Sequence, residues 1–307
     1  MSFFEINNLS VGFKNKNKIL LHNIFLSINE GQVMGLVGES GSGKTMLSLA
    51  LMGLLPKNIK ILNGSIKLDG KELYDYKRNK IYRNASDITM IFQNPKNALN
   101  PTMKIGDQIS NVIKYNKTKY NNIKNTVYEL LDEVGIPGVH RIYGYYPHQL
   151  SGGMCQRIMI AMALACKPKI LIADEPTTAL DVTIQAQIFA LIKKLILKTK
   201  SSILFISHDL DAIAEISNDV AVMFSGQMME QAHCKDIVNR PKHPYTKFLI
   251  DSIINSGKEE IIKREKSLYG CQYSYRCESF SKICEESNKL LTINKNHKSS
   301  CIKNIVS

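Results

Sequence analysis

Residues 38–45 read Gly38-Glu39-Ser40-Gly41-Ser42-Gly43-Lys44-Thr45, the residue types and spacing of a loop that wraps a phosphate chain. The glycines Gly38, Gly41 and Gly43, with Ser40 and Ser42 between them, let the backbone curl so that successive N–H groups face a β-phosphate. Lys44 would neutralise charge on the β- and γ-oxygens, and the Thr45 hydroxyl would hold Mg²⁺. A second cluster sits at Asp174-Glu175, two carboxylates that end the apolar run Lys169-Ile170-Leu171-Ile172-Ala173. Two acids leaving a buried strand need a cation or a task. Asp174 suits Mg²⁺, directly or through water, and Glu175 is placed to accept a proton from a water attacking the γ-phosphate.

Such groups have to be held by particular elements. The loop at 38–45 follows the apolar run Val33 to Val37 and opens a helical run from Met46 to Leu55, so it should join a strand to a helix whose N-terminus adds its dipole. Further short β-branched runs, Ile88 to Phe92, Ile170 to Ala173, Ile203 to Ser207 and Val220 to Phe224, alternate with helix-length segments. This is the pattern of an α/β domain with a mostly parallel, buried sheet. Phe3 to Leu9, Leu20 to Ile28 and Ser65 to Leu68 alternate in period two around Gly and Asn, which predicts an antiparallel β edge region. Between about 95 and 165 the pattern turns helical, as in Ile123 to Val134, where Val127, Leu130, Leu131 and Val134 share one face. The organisation expected is one domain over residues 1–255 with a helical insertion at about 95–165, then a small cysteine-containing appendage over 256–307.

The chain has 307 residues and a formal net charge of +13, with Lys and Arg scattered along its length rather than gathered in a stripe, so nucleic acid is not an expected partner. No stretch approaches the length a membrane-spanning helix needs, and the first residues lack the basic-then-apolar pattern of an export signal. The expected setting is therefore the cytosol, where the seven cysteines should stay reduced.

A third motif, Leu150-Ser151-Gly152-Gly153-Met154-Cys155-Gln156, lies between the first two, and with it the chain resembles the ABC ATPases, a class of P-loop NTPase. Further marks follow in the family's order: Gln93 resembles the Q-loop, Ala179-Leu180-Asp181 the D-loop, and His208 the switch histidine. The resemblance implies ATP as the substrate with Mg²⁺, and a hydrogen bond from His208 to the γ-phosphate. It also implies a head-to-tail pair of ATPase chains in which Ser151, Gly152, Gly153 and Gln156 contact the ATP held on the partner. Phe13 sits where the family usually stacks an aromatic on adenine; its reading as a core residue stands beside that one.

Longer strings, Gly53-Leu54-Leu55-Pro56, Tyr146-Pro147-His148-Gln149, Ala173 to Thr183 and His243-Pro244-Tyr245-Thr246, resemble importer subunits of the oligopeptide, dipeptide and nickel group. What this implies is ATP-driven uptake of di- or oligopeptides, with nickel or a metal chelate as the alternative cargo and a non-transport ABC ATPase as a distant one. The implied partners are a second homologous ATPase chain, the same or different, two transmembrane permease subunits and an extracytoplasmic solute-binding protein. The implied location is the cytoplasmic face of the plasma membrane. Cys155 departs from the group, which usually has a basic residue there. Cys271, Cys277, Cys284 and Cys301 have five, six and sixteen residues between them, which matches no simple zinc-ribbon or ferredoxin spacing, so free thiols and a four-cysteine zinc site remain open. The resemblance favours a [4Fe–4S] segment, because this group often carries Gly-Cys, then Arg-Cys, then two further cysteines; Gly270-Cys271 and Arg276-Cys277 reproduce it. His297 is expected as a solvated histidine, with a substitute ligand as its other reading, and Cys155, Cys166 and Cys234 as packing residues.

Overall fold

The computed structural model describes residues 2–15, 18–75, 80–81, 87–116, 121–178, 180–255, 270–285, 289–294 and 296–303. Ala179 of the D-loop string and the stretch 256–269 that opens the expected appendage lie outside the described residues. The chain forms two compact units, Met1–Tyr82 with Phe205–Ser307, and Arg83–Leu204.

In the first unit, β1 (Phe4–Phe13) pairs antiparallel with both β2 (Ile19–Ile28) and β4 (Ile59–Leu68). Along β1 Phe4 and Ile6 are buried in period two, and an irregularity at Asn8, φ 52°, shifts the register, after which Leu9 to Gly12 are all buried. The strand β3 (Val33–Val37) is buried at all five positions, as expected where both sheet faces are covered. It runs parallel to Asp219–Phe224, which pairs antiparallel with Gln227–His233. The helix α1 (Lys44–Met52) follows β3, starting two residues before the predicted run.

The tail is not set apart from this unit. Its His297–Ser299 strand pairs antiparallel with Gln227–His233, and Leu291–Asn294 pairs with His297–Ser299. Through these pairings the tail extends the sheet that carries Gln227–His233. The anchor is Glu230, whose side chain is fully buried and accepts from the backbone N–H of Lys242 at 2.7 Å and of His243 at 2.8 Å. A buried carboxylate needs such donors, and these lock the 242–243 turn against the strand.

In the second unit, Ile88–Ile91 pairs parallel with Ile170–Asp174. Helices fill the sequence between them, including Ile105–Tyr115, Ile123–Glu133 and Gly152–Ala165. Val127, Leu130, Leu131 and Val134 are all buried, the single face that their spacing implies. Among the described residues no helix is long and apolar enough to cross a membrane.

Candidate functional site

The phosphate loop occupies Gly38–Gly43, between the last residue of β3 and the first of α1. Gly38 is obligatory there because a Cβ would lie 2.1 Å from the carbonyl oxygen of Met223. Lys44 is 5% exposed, and its Nζ donates to the carbonyls of Gly38 at 2.7 Å and Glu39 at 2.9 Å and reaches Ser42 Oγ at 3.4 Å. The charge is thus held over the loop's own backbone. Ser40, Gly41 and Thr45 are exposed, and the first turn of α1 carries no acidic residue, so nothing on the helix opposes an anion at its start. Phe13 is half-buried at the end of β1, outside the fully buried core.

In the second unit Asp174 ends its strand at 2% exposure, and Glu175 follows in the left-handed region with φ 47°. A non-glycine residue adopts that conformation only where surroundings hold it. The Glu175 carboxylate accepts from Gln93 Nε2 at 2.8 Å and Thr178 Oγ1 at 2.9 Å. Gln93 and Glu175, 82 residues apart, are therefore brought together. Thr178 was not foreseen as part of this contact; its signal was a hydroxyl three residues after the acid.

Ser151 caps the Gly152–Ala165 helix, its Oγ accepting from Met154 N–H at 3.3 Å, and it is exposed, with Gly152 and Gly153 half-buried. Gln156 is placed differently from the expectation of a partner-chain contact: at 1% exposure it lies on the inner face of the same helix. Cys155 is also fully buried, its Sγ donating to the Pro147 carbonyl at 3.6 Å, and burial pushes its thiol up. The departure from a basic residue thus changes the packing beneath the helix and not its exposed start. Asp181 caps the Val182–Thr199 helix, accepting from Ile184 N–H at 2.9 Å. In the first unit, His208 is exposed directly after the Ser202–Ser207 strand, where the Ser207 hydroxyl accepts from Asp209 N–H at 3.0 Å and fixes the turn.

Cys271, Cys277, Cys284 and Cys301 line one small cavity of about 20 Å³, and His243 lines it with them. Gly270 allows this convergence: it has φ 73°, and a Cβ there would meet the Cys284 carbonyl at 2.3 Å, where Cys271 N–H donates at 2.8 Å. Burial, and after it the neighbouring Cys277, Cys284 and Cys301, push the Cys271 thiol up to about 12. Burial also pushes His243 down to about 3, so the ring is neutral. Its Nδ1 accepts from Tyr245 N–H at 3.1 Å, which leaves the proton on Nε2, 3.6 Å from Cys271 Sγ. A single zinc would need its sulfurs about 2.3 Å from one point. Among the described residues no group of three or more His, Cys, Asp or Glu is set for a metal ion. His297 corrects the expectation of a solvated ring: it is 2% exposed and its Nε2 meets Glu230 Oε1 at 2.6 Å.

The comparisons with known proteins agree with this arrangement. The ABC transporter family matches over residues 21–178, and the oligopeptide/dipeptide transporter C-terminal region over 229–284. The chain is 42% identical over 290 residues to the oligopeptide transport ATP-binding protein AppD of Bacillus subtilis, covering 90% of this chain and 88% of that protein. It is 40% identical over 311 residues to OppD of Haemophilus influenzae, covering 97% and 96%. Among solved structures, cbiO1 of Clostridium perfringens, part of the ABC transporter complex cbiONQ, superposes with a TM-score of 0.67 at 25% identity, over 83% of this chain and 96% of that one. A phosphate loop seated on α1, a hydrogen-bonded carboxylate after a buried strand and these full-length relatives have one common account: the chain belongs to the ATP-hydrolysing ABC transporter family, in the group that carries the oligopeptide/dipeptide-transporter C-terminal region.

Proposed function

We propose that this chain drives the uptake of di- or oligopeptides from the cytoplasmic face of the plasma membrane, paired with a second ATPase chain and two permease subunits and fed by an extracytoplasmic solute-binding protein. The observation that carries this reading is the Lys44-centred loop at the start of α1, in a chain whose relatives, aligned over most of their length, are oligopeptide transport ATP-binding proteins. In this reading the N–H groups of the loop beyond Glu39, in residues 40–43, and Lys44 hold the phosphates, and Phe13 stacks on adenine. Thr45 and Asp174 offer hard oxygen donors that suit Mg²⁺, which when bound neutralises charge on the β- and γ-oxygens. Glu175, oriented by Gln93 and Thr178, accepts the proton of the attacking water, and His208 donates to the γ-phosphate. Ser151, Gly152 and Gly153 serve the nucleotide of the second chain, and Asp181 of this chain belongs to the nucleotide contacts.

The four tail thiols line one cavity, and on that convergence we place an iron–sulfur cluster there, with a four-cysteine zinc site and free thiols as the alternatives. The transport reading is tested by reconstituting the assembled importer in vesicles and following ATP-dependent entry of labelled di- and oligopeptides beside nickel. Peptide uptake is the expected result. Nickel uptake without peptide uptake overturns the cargo, and ATP hydrolysis with no uptake of either overturns transport.

A further inference from the structure

Glu39 places a carboxylate beside the phosphate cradle, where its charge opposes a triphosphate. Two residues from far along the chain hold it. Arg276 Nη1 lies 3.2 Å from both Glu39 oxygens, and the Tyr245 hydroxyl accepts from the Glu39 backbone N–H at 3.0 Å. Neither contact is incidental packing. Arg276 closes the Ser274–Arg276 turn just before Cys277, and its guanidinium lies 5.5 Å from the Phe224 ring centre and 5.6 Å from that of Tyr275. Tyr245 is fully buried, with its ring 4.6 Å from Phe224 and 5.3 Å from Tyr273.

We propose that Arg276 and Tyr245 are positioning residues of the nucleotide loop, acting through Glu39, so that the cysteine-bearing tail is a working part of the ATP site. Arg276 neutralises the one acidic side chain of the loop, and Tyr245 turns that residue's N–H out of the cradle, fixing the path of the backbone before Ser40. Lys44 Nζ donates to the Glu39 carbonyl at 2.9 Å, so a shift of Glu39 reaches the phosphate-binding ammonium directly. About a third of each charged side chain is exposed, 29% for Arg276 and 32% for Glu39, so the ion pair is partly screened and its effect should be moderate.

The inference rests on the loop being the nucleotide site, and Lys44→Ala tests that separately. Binding of a fluorescent ATP analogue to the full chain, and KM and kcat of the assembled complex, provide the readouts. Arg276→Ala should weaken ATP binding about 3- to 10-fold, raising KM while kcat is kept. Arg276→Lys should recover part of that loss. Tyr245→Phe, which keeps the ring and removes only the acceptor, should weaken binding about 10-fold. In a Glu39→Gln background Arg276→Ala should have almost no further effect, because the charge it neutralises is gone. Equal losses with and without Glu39, or full affinity in both Arg276→Ala and Tyr245→Phe while Lys44→Ala fails to bind, overturns the inference alone. Full affinity in Lys44→Ala overturns the nucleotide assignment and the inference with it.

Discussion

Gly38 and Gly270 do the same local job in two regions of the molecule. Each admits a carbonyl that a Cβ would exclude, Met223 O at 2.1 Å in one case and Cys284 O at 2.3 Å in the other. What surrounds them differs. The phosphate loop is made from consecutive residues, strand then loop then helix, so its geometry follows from local chain direction. The cysteine cavity is gathered from residues between 243 and 303, held by a buried carboxylate, a strand pairing and a one-residue turn. A contiguous site can be altered at its chemistry with its fold untouched. A gathered site has no such separation, because each side chain that lines it is also a fastening.

The sharpest test of the first half of that contrast is Glu175→Gln. The carboxylate is fixed by Gln93 and Thr178, and an amide oxygen can still accept both hydrogen bonds. The fold and ATP binding should therefore survive while steady-state hydrolysis in the assembled complex falls by about 10²- to 10⁴-fold, the range of a lost general base. ATP should then hold the paired ATPase chains together. Wild-type hydrolysis in this variant would remove Glu175 from the reaction.

The second half predicts that the four tail thiols act as one set. Anaerobically purified protein should be brown, with about four iron and four sulfide per chain for a four-iron cluster. Serine in place of Cys271, Cys277, Cys284 or Cys301 should each lose most of that metal. ATP binding should persist, weakened at most to the extent expected for Arg276→Ala, since the tail touches the loop only at Glu39 by the contacts described. Full iron retention in all four variants sinks the cluster, and zinc in colourless protein replaces it with another metal.

The contrast also explains how much could be read in advance. Val33–Val37, the 38–45 loop, the Ile170–Asp174 strand with its two acids and the amphipathic helix at 123–133 were legible because periodicity and local chain direction decide them. The resemblance grouped the four cysteines, but that His243 would line their cavity, or that His297 would be buried against Glu230, was not legible, since both depend on long-range packing against the Gln227–His233 strand. Gln156 was expected at the partner chain's ATP by its place in a motif, whereas Cys155 was expected as a packing residue. Their helix buries one face from its first turn, and both positions fall on it. Arg276 was legible only as the residue before Cys277; its partner is 237 positions away.

A smaller effect is expected at Gly270. Alanine there combines a left-handed backbone, φ 73°, with a Cβ 2.3 Å from a backbone carbonyl, and a carbonyl held by its own hydrogen bond to Cys271 N–H cannot simply swing aside. The cost should be about 1–3 kcal/mol, read as a lower denaturation midpoint. Metal content should drop with it, whereas the same substitution at exposed Gly41, where nothing lies within 4 Å of a Cβ, should spare the metal. Metal loss of equal size at both positions would break the assignment of strain to the cavity.

The smallest effect separates two roles of one side chain. Ser151 caps the Gly152–Ala165 helix through its Oγ and is also the exposed hydroxyl assigned to the second chain's nucleotide. Ser151→Ala removes both and should cost about 1 kcal/mol of stability, the usual loss of a helix cap. Ser151→Asp keeps a cap, because a carboxylate accepts the Met154 N–H and suits the helix dipole, so stability should be unchanged within a few tenths of a kcal/mol. Yet that carboxylate faces a phosphate in the paired complex, and like charges should suppress hydrolysis there. A chemical melt of the single chain and an ATPase assay of the assembled complex, run on both variants, give opposite rankings if the two roles are distinct: Asp the more stable, Ala the more active. Matching rankings in the two assays would mean that Ser151 matters only as a cap, and the hydrolysis lost would then be the consequence of a frayed helix start.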